Sequence, residues 1–171
     1  MDLSKLTSGK NVPEEINVVI EIPHGSSIKY QMDEESGVIF VDRFVPPAMY
    51  FPINYGFIPH IKGGDGDAID VLVLTSQPVH PGTVIPCRPI GILEMEDEDG
   101  IDTKIVAVPM PKVDYFYREV TDISDLNKIQ KAQIKHFFDH YKDMEEGKWV
   151  KTGEFLGKEA AYEVIKKSMN K

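Results

Sequence analysis

The spacing of apolar residues changes period about two-thirds of the way along the chain. Before that point it is the spacing of strands. Val18-Val19-Ile20-Glu21-Ile22 is a β-branched run closed by Pro23. Ile28-Lys29-Tyr30-Gln31-Met32 alternates, and Val38-Ile39-Phe40-Val41 follows after a turn over Asp33 to Gly37, which predicts a hairpin. Ile69-Asp70-Val71-Leu72-Val73-Leu74 reads as an apolar strand interrupted by one Asp. Val84 to Met95 and Ile101 to Val108 flank an acidic turn containing Gly100 and predict a second hairpin. Between these runs, Pro52-Ile53-Asn54-Tyr55-Gly56-Phe57-Ile58-Pro59 reads as a rigid aromatic loop bounded by prolines. After them the period lengthens. Leu126, Ile129, Ile134, Phe137, Tyr141 and Met144 recur near helical spacing. This predicts a helix from Asp125 to about Glu146, capped by Ser124 or Asp125 and stopped by Gly147. A shorter helix is expected over Lys158 to Ser168. The pattern is β-rich α+β: short strands forming a small barrel or sandwich core, with two C-terminal α-helices packed outside it.

Composition narrows the class. A chain of 171 residues fits one domain spanning 1–171, large enough to bury a core. With Cys87 as its one cysteine, the chain has no internal disulfide and no cysteine metal cluster. Together with a start, Met1-Asp2-Leu3-Ser4-Lys5, that lacks a signal-like apolar core, this favours the cytoplasm. A long stretch free of Asp, Glu, Lys and Arg, Val71 to Cys87, contains Pro78, Pro81 and Pro86, so no membrane helix is expected there. The net charge of −9 disfavours nucleic acid and anionic membranes as partners and directs attention to cations.

Asp65-Gly66-Asp67-Ala68-Ile69-Asp70 places three carboxylates in six residues, with Gly63 and Gly64 just before them. Glycine lets the backbone turn tightly enough to bring Asp65 and Asp67 towards one point. Asp70 opens an apolar strand, where an unpaired charge is costly. Hard divalent cations want such oxygens, although the same spacing also fits a solvated polar turn. The EF-hand pattern fails, and no phosphate-binding glycine loop of the Walker or dinucleotide type occurs. In the second acidic cluster, Glu94 to Asp102, Asp102 is expected on a strand and Asp97 on the opposite arm. Both can face inward while Glu96, Glu98 and Asp99 stay wet. Lys29, Arg43 and Lys104 lie in separate strands, and Lys142 follows Tyr141 near the end of the long helix. Carboxylates that hold Mg²⁺, with cations and tyrosine hydroxyls that hold phosphate oxygens, make one coherent site. Two other classes compete with it. A single-stranded nucleic-acid module would stack bases on Tyr30, Phe40, Tyr55 and Phe57, and an acidic structural protein would bind Ca²⁺.

These segments, in order, closely resemble the soluble family I inorganic pyrophosphatases of the bacterial type. The similarity is carried by Asp65-Gly66-Asp67-Ala68-Ile69-Asp70-Val71, Val18-Val19-Ile20-Glu21-Ile22-Pro23, Ile28-Lys29-Tyr30, Val41-Asp42-Arg43-Phe44, Pro52-Ile53-Asn54-Tyr55-Gly56, Asp102-Thr103-Lys104 and His136 to Asp143. It covers about residues 11–150. The resemblance implies a closed five-stranded OB-like barrel, Mg²⁺ dependence, and hydrolysis of pyrophosphate to two orthophosphates by a cytoplasmic homohexamer. It implies two Mg²⁺ in the resting site, with further ions joining alongside substrate. Asp65, Asp70 and Asp102 correspond to ligands of the first metal, Asp70 bridging to the second. Asp97 and Glu21 correspond to further acids serving metals or their waters. Asp67 corresponds to the general base, and Lys29, Arg43, Tyr55, Lys104, Tyr141 and Lys142 to the substrate contacts. The chain departs from the family pattern at Gln31, Phe51 and Ala68, which bear on metal affinity, pH optimum and turnover.

Overall fold

The computed structural model describes residues 2–64 and 66–170. The strands, in chain order, are β1 (Ile16–Ile22), β2 (Ile28–Asp33), β3 (Val38–Phe44), β4 (Asn54–Lys62), β5 (Ala68–Val73), β6 (Val84–Asp97), β7 (Gly100–Ile101), β8 (Lys104–Pro109) and β9 (Val150–Gly157). The helices are α1 (Lys128–His140) and α2 (Lys158–Met169). Five strands pair in the order β1-β4-β5-β8-β6, and β6 returns to β1, so the sheet closes on itself. The β5–β8 contact is parallel and the other four are antiparallel. This is the closed OB-like barrel. Closure leaves no free edge among these five strands. The hairpin β2–β3 stands apart as a separate two-stranded sheet.

β5 shows how a nearly all-apolar strand is used. Ile69, Val71 and Val73 enter a cluster that includes Ala161 and Ile165 of α2. Leu72 and Leu74 enter the opposite cluster, with Ile134, Phe137 and Phe138 of α1. Alternation therefore puts Asp70 on the α1-facing side, at the point where the strand emerges from the core. In β8, Val106 and Val108 share that side. Lys104 is two residues before Val106 and so faces the same way.

Strand crowding constrains β4. A Cβ at Gly56 would stand 2.0 Å from the Val19 carbonyl oxygen of β1. Gly56→Ala should force the barrel seam apart, costing about 3 kcal/mol and lowering Tm by roughly 6–12 °C. Thermal denaturation checks this; a shift below about 2 °C would show that the seam opens freely.

The segment expected to be an aromatic loop is largely strand β4. Its Pro59 sits where the ladder to β5 loses register, between Phe57 and Lys62, a position where proline is tolerated. The long helix is shorter than its apolar spacing predicts. It starts after Asn127, whose side chain accepts from the Gln130 backbone N–H at 2.8 Å. Asp122 and Asp125 instead form a reciprocal cap on a 3-10 turn just before it. Ile129 and Met144 are exposed, so the working stripe is Ile134, Phe137 and Phe138. The helix ends at His140 and turns continue to Gly147, which adopts φ +74°. Val150–Gly157 was not apparent as a strand. It pairs with β6 from Gly91↔Gly157 to Asp97↔Val150. No helix among the described residues is long and apolar enough to cross a membrane.

Candidate active site

At one end of the barrel a cleft of about 460 Å³ opens between β1, β2, β5, the β6–β8 arm and the segment after α1. Of the sequence-derived candidates, Glu21, Lys29, Arg43, Tyr55, Asp67, Asp70, Asp97, Asp102, Lys104, Tyr141 and Lys142 all line it. Asp65 lies outside the described residues. Gln31 and Ala68 also line the wall. Phe51 is fully buried behind it, with its ring 5.9 Å from that of Tyr55 and 6.4 Å from that of Tyr141.

Parallel pairing brings the centre together. Val71 and Leu72 of β5 lie beside Ile105 and Val106 of β8, so Asp70 and Lys104 meet one step before that ladder. The Lys104 ammonium donates to the carboxylates of Asp70 and Asp102, the latter at 2.5 Å. It also lies 5.5 Å from the centre of the Tyr55 ring. Lys104 is only 4% exposed, which is far from the surface position that a lone strand lysine would take. Burial alone would lower its pKa, but Asp70 and Asp102 hold it raised. Asp102 itself is raised by burial, against the pull of Lys104. It is not on a strand: it occupies the break between β7 and β8, where its backbone N–H donates to the Met95 carbonyl at 2.8 Å.

Glu21 is nearly buried and accepts the Met32 backbone N–H at 2.7 Å. Burial pushes its carboxyl up to about 7, with the Asp70 charge adding to the effect and the Met32 bond opposing it. Burial also raises the Tyr55 hydroxyl well above its ordinary range and raises that of Tyr141, so both remain hydrogen-bond donors at neutral pH. Asp67 is exposed at the rim, beside the entrance to β5.

The cations are held from the side. Lys29 pairs with Asp42 at 3.4 Å, and Arg43 pairs with both Asp42 and Glu145. The Lys142 ammonium sits 3.0 Å from Asp97 and 3.2 Å from Glu98, and Lys148 lies 2.6 Å from Glu98. Burial would raise the Glu98 carboxyl, but Lys148, the Trp149 N–H and Lys142 together take it down to about 2. Glu98 is therefore not the wet turn residue that its sequence neighbourhood predicts. Asp42, Glu98, Glu145 and Lys148 were missed as site residues. For Asp42 and Glu98 the only sequence signal is a charge next to a candidate, and Glu145 and Lys148 lie in the turn after α1, which is not periodic.

The donors fit a hard divalent cation. Among the described residues the carboxylates that converge in the cleft are oxygen ligands with no histidine or thiol beside them, and Lys104 already occupies the place of a cation between two of them. Asp97, Glu98 and Asp99 also bring carboxylate oxygens within 4.8 Å of one another. Phe57, a proposed stacking platform for bases, is instead only 3% exposed and packed in the core.

Comparisons with known proteins agree with this geometry. The family model described as inorganic pyrophosphatase matches residues 18–171. An inorganic pyrophosphatase of Aquifex pyrophilus is 55% identical over 99% of this chain and 96% of its own length. One of Escherichia coli (strain K12) is 53% identical over 94% of this chain and 92% of its own. The crystal structure of an inorganic pyrophosphatase from Thermus thermophilus superposes with a TM-score of 0.94 at 40% identity, covering 99% of this chain and 98% of that one.

Proposed function

The chain belongs to the inorganic pyrophosphatase family, and from that premise we propose how its cleft hydrolyses pyrophosphate to two orthophosphates. The reading is carried by one observation: carboxylates from β1, β5 and the β6–β8 arm share a single cleft with the cations Lys29, Arg43, Lys104 and Lys142 and with Tyr55 and Tyr141. A carboxylate site alone would repel pyrophosphate, and a cationic site alone would bind it without activating water.

Asp65, Asp70 and Asp102 would hold Mg²⁺, with Asp97 and Glu21 serving further ions or their waters. The bound metal supplies charge neutralisation and a more acidic water. Asp67, exposed at the rim of the cleft, takes the proton from the attacking water. Lys29, Arg43 and Lys142 neutralise charge on the phosphate groups, the leaving phosphate above all. Tyr55 and Tyr141 donate hydrogen bonds to phosphoryl oxygens. Lys104 orients Asp70 and Asp102 and directs its remaining donor capacity at substrate. Positioning and electrostatics supply most of the acceleration in such transfers. In the cell we assign the chain to the cytoplasm, as a one-domain subunit of a homohexamer.

Phosphate release from pyrophosphate should vanish in excess chelator and return on adding Mg²⁺. Release that persists in excess chelator would contradict the metal-assisted reading.

A further inference from the structure

The loop that carries Asp67 stands on an irregular mount. The β4–β5 ladder runs in register through Phe57↔Asp70, is lost, and resumes only at Lys62↔Ala68. Within the gap His60 adopts φ 63°, a left-handed conformation that a residue with a side chain seldom takes without a reason. Beyond it the chain closes tightly, with the Gly63 N–H donating to the Asp67 carbonyl at 2.7 Å. The orientation of the loop therefore depends on what holds the bulge.

That hold comes from the N-terminal segment. The His60 Nε2 lies 2.9 Å from the Leu3 carbonyl and 2.8 Å from the Leu6 carbonyl, so Nε2 carries the proton and donates. The Ser8 hydroxyl donates to the Pro59 carbonyl at 2.7 Å. The segment is itself anchored on β1, where the Asn17 N–H donates to the Ser8 carbonyl at 2.7 Å. Leu3 and Leu6 pack into a cluster with Met32, Phe57 and Ala68, and those three residues form part of the cleft wall. The N-terminal strap thus grips both the bulge and the back of the wall.

We infer that His60 is a positioning residue: by tying the bulge to the strap at residues 3–8, it sets the loop that presents Asp67 and leads into Asp70, and so sets Mg²⁺ affinity. This rests on the metal-dependent reading of the cleft. His60→Gly keeps the left-handed backbone and removes the tie, whereas His60→Gln offers an amide donor near the position of Nε2. Calorimetric titration with Mg²⁺ alone, without pyrophosphate, should show His60→Gly binding roughly three- to tenfold more weakly than wild type. His60→Gln should stay within about twofold, and kcat at saturating Mg²⁺ should change little in either. Ser8→Ala removes only the second tie; it should fold and shift Mg²⁺ affinity in the same direction. Wild-type Mg²⁺ affinity in both His60→Gly and Ser8→Ala, or equal weakening in His60→Gly and His60→Gln, would overturn the positioning role. Wild-type protein that released no phosphate with Mg²⁺ would instead overturn the functional reading beneath it.

Discussion

Asp67→Asn is expected to lower kcat by about 10²- to 10⁴-fold, the usual worth of a positioned general base, while Mg²⁺ binding measured without substrate stays within a few-fold of wild type. The amide keeps the shape of the side chain but cannot take the proton. Location separates this residue from its neighbours. The Asp70 and Asp102 side chains are each 28% exposed and Glu21 is buried, whereas Asp67 sits at the exposed rim of the same cleft, where water has ready access. Single-turnover phosphate release at saturating Mg²⁺ isolates the chemical step. Unchanged turnover would remove Asp67 from the base role, and turnover lost together with Mg²⁺ binding would make it a ligand instead.

Lys104→Met carries the second large effect. Wild-type Lys104 places one positive charge between Asp70 and Asp102, whose side chains are each 28% exposed. Methionine fills a similar volume and leaves the two carboxylates facing each other across an apolar group. Breaking a fully buried pair costs about 3–5 kcal/mol. The residual solvent contact of the acids reduces this to about 1–3 kcal/mol, or roughly 2–12 °C in Tm for a chain of this length. The metal-free variant should therefore melt below wild type, and added Mg²⁺ should raise its Tm by more than it raises that of wild type, because the cation then restores the missing charge. Turnover should fall as well, since the ammonium no longer orients Asp70 and Asp102 or reaches substrate. A smaller Mg²⁺-induced rise than in wild type would show that Lys104 is not the counter-charge of these acids.

Much of this molecule is legible along the chain. Ile69 to Leu74 announces a strand with both faces buried, and Asp70 stands out there because a charge in such a run needs a partner. The hairpins over 28–41 and 84–108 follow from alternation and from turn residues, which are local. The Asp65-Gly66-Asp67 turn also concentrates its chemistry in a few residues. Less legible were the elements whose stability comes from distant partners. Val150–Gly157 contains two glycines and no strong apolar alternation, and it becomes a strand through its ladder to β6. Asn54–Lys62 reads as a loop because prolines bound its first part, yet pairing with β1 and β5 on its two sides makes it central to the barrel. The apolar spacing past His140 continues a helical count, but Met144 is exposed and the backbone leaves the helix.

By itself, then, the order of residues determined a strand-rich core, barrel or sandwich, with two C-terminal helices, the acidic signature and the residue types of the site. These depend on period-2 and period-3.6 patterns and on short-range turn chemistry, which neighbours along the chain encode. The tertiary structure alone decided that Lys104 is a buried bridge, that Glu98 grips Lys142 and Lys148, and that an N-terminal strap holds the bulge at His60. Each of these depends on groups dozens of residues apart being brought to hydrogen-bonding distance, and on the loss of water that gives their charges weight. Neither the distance nor the desolvation exists until the barrel has closed.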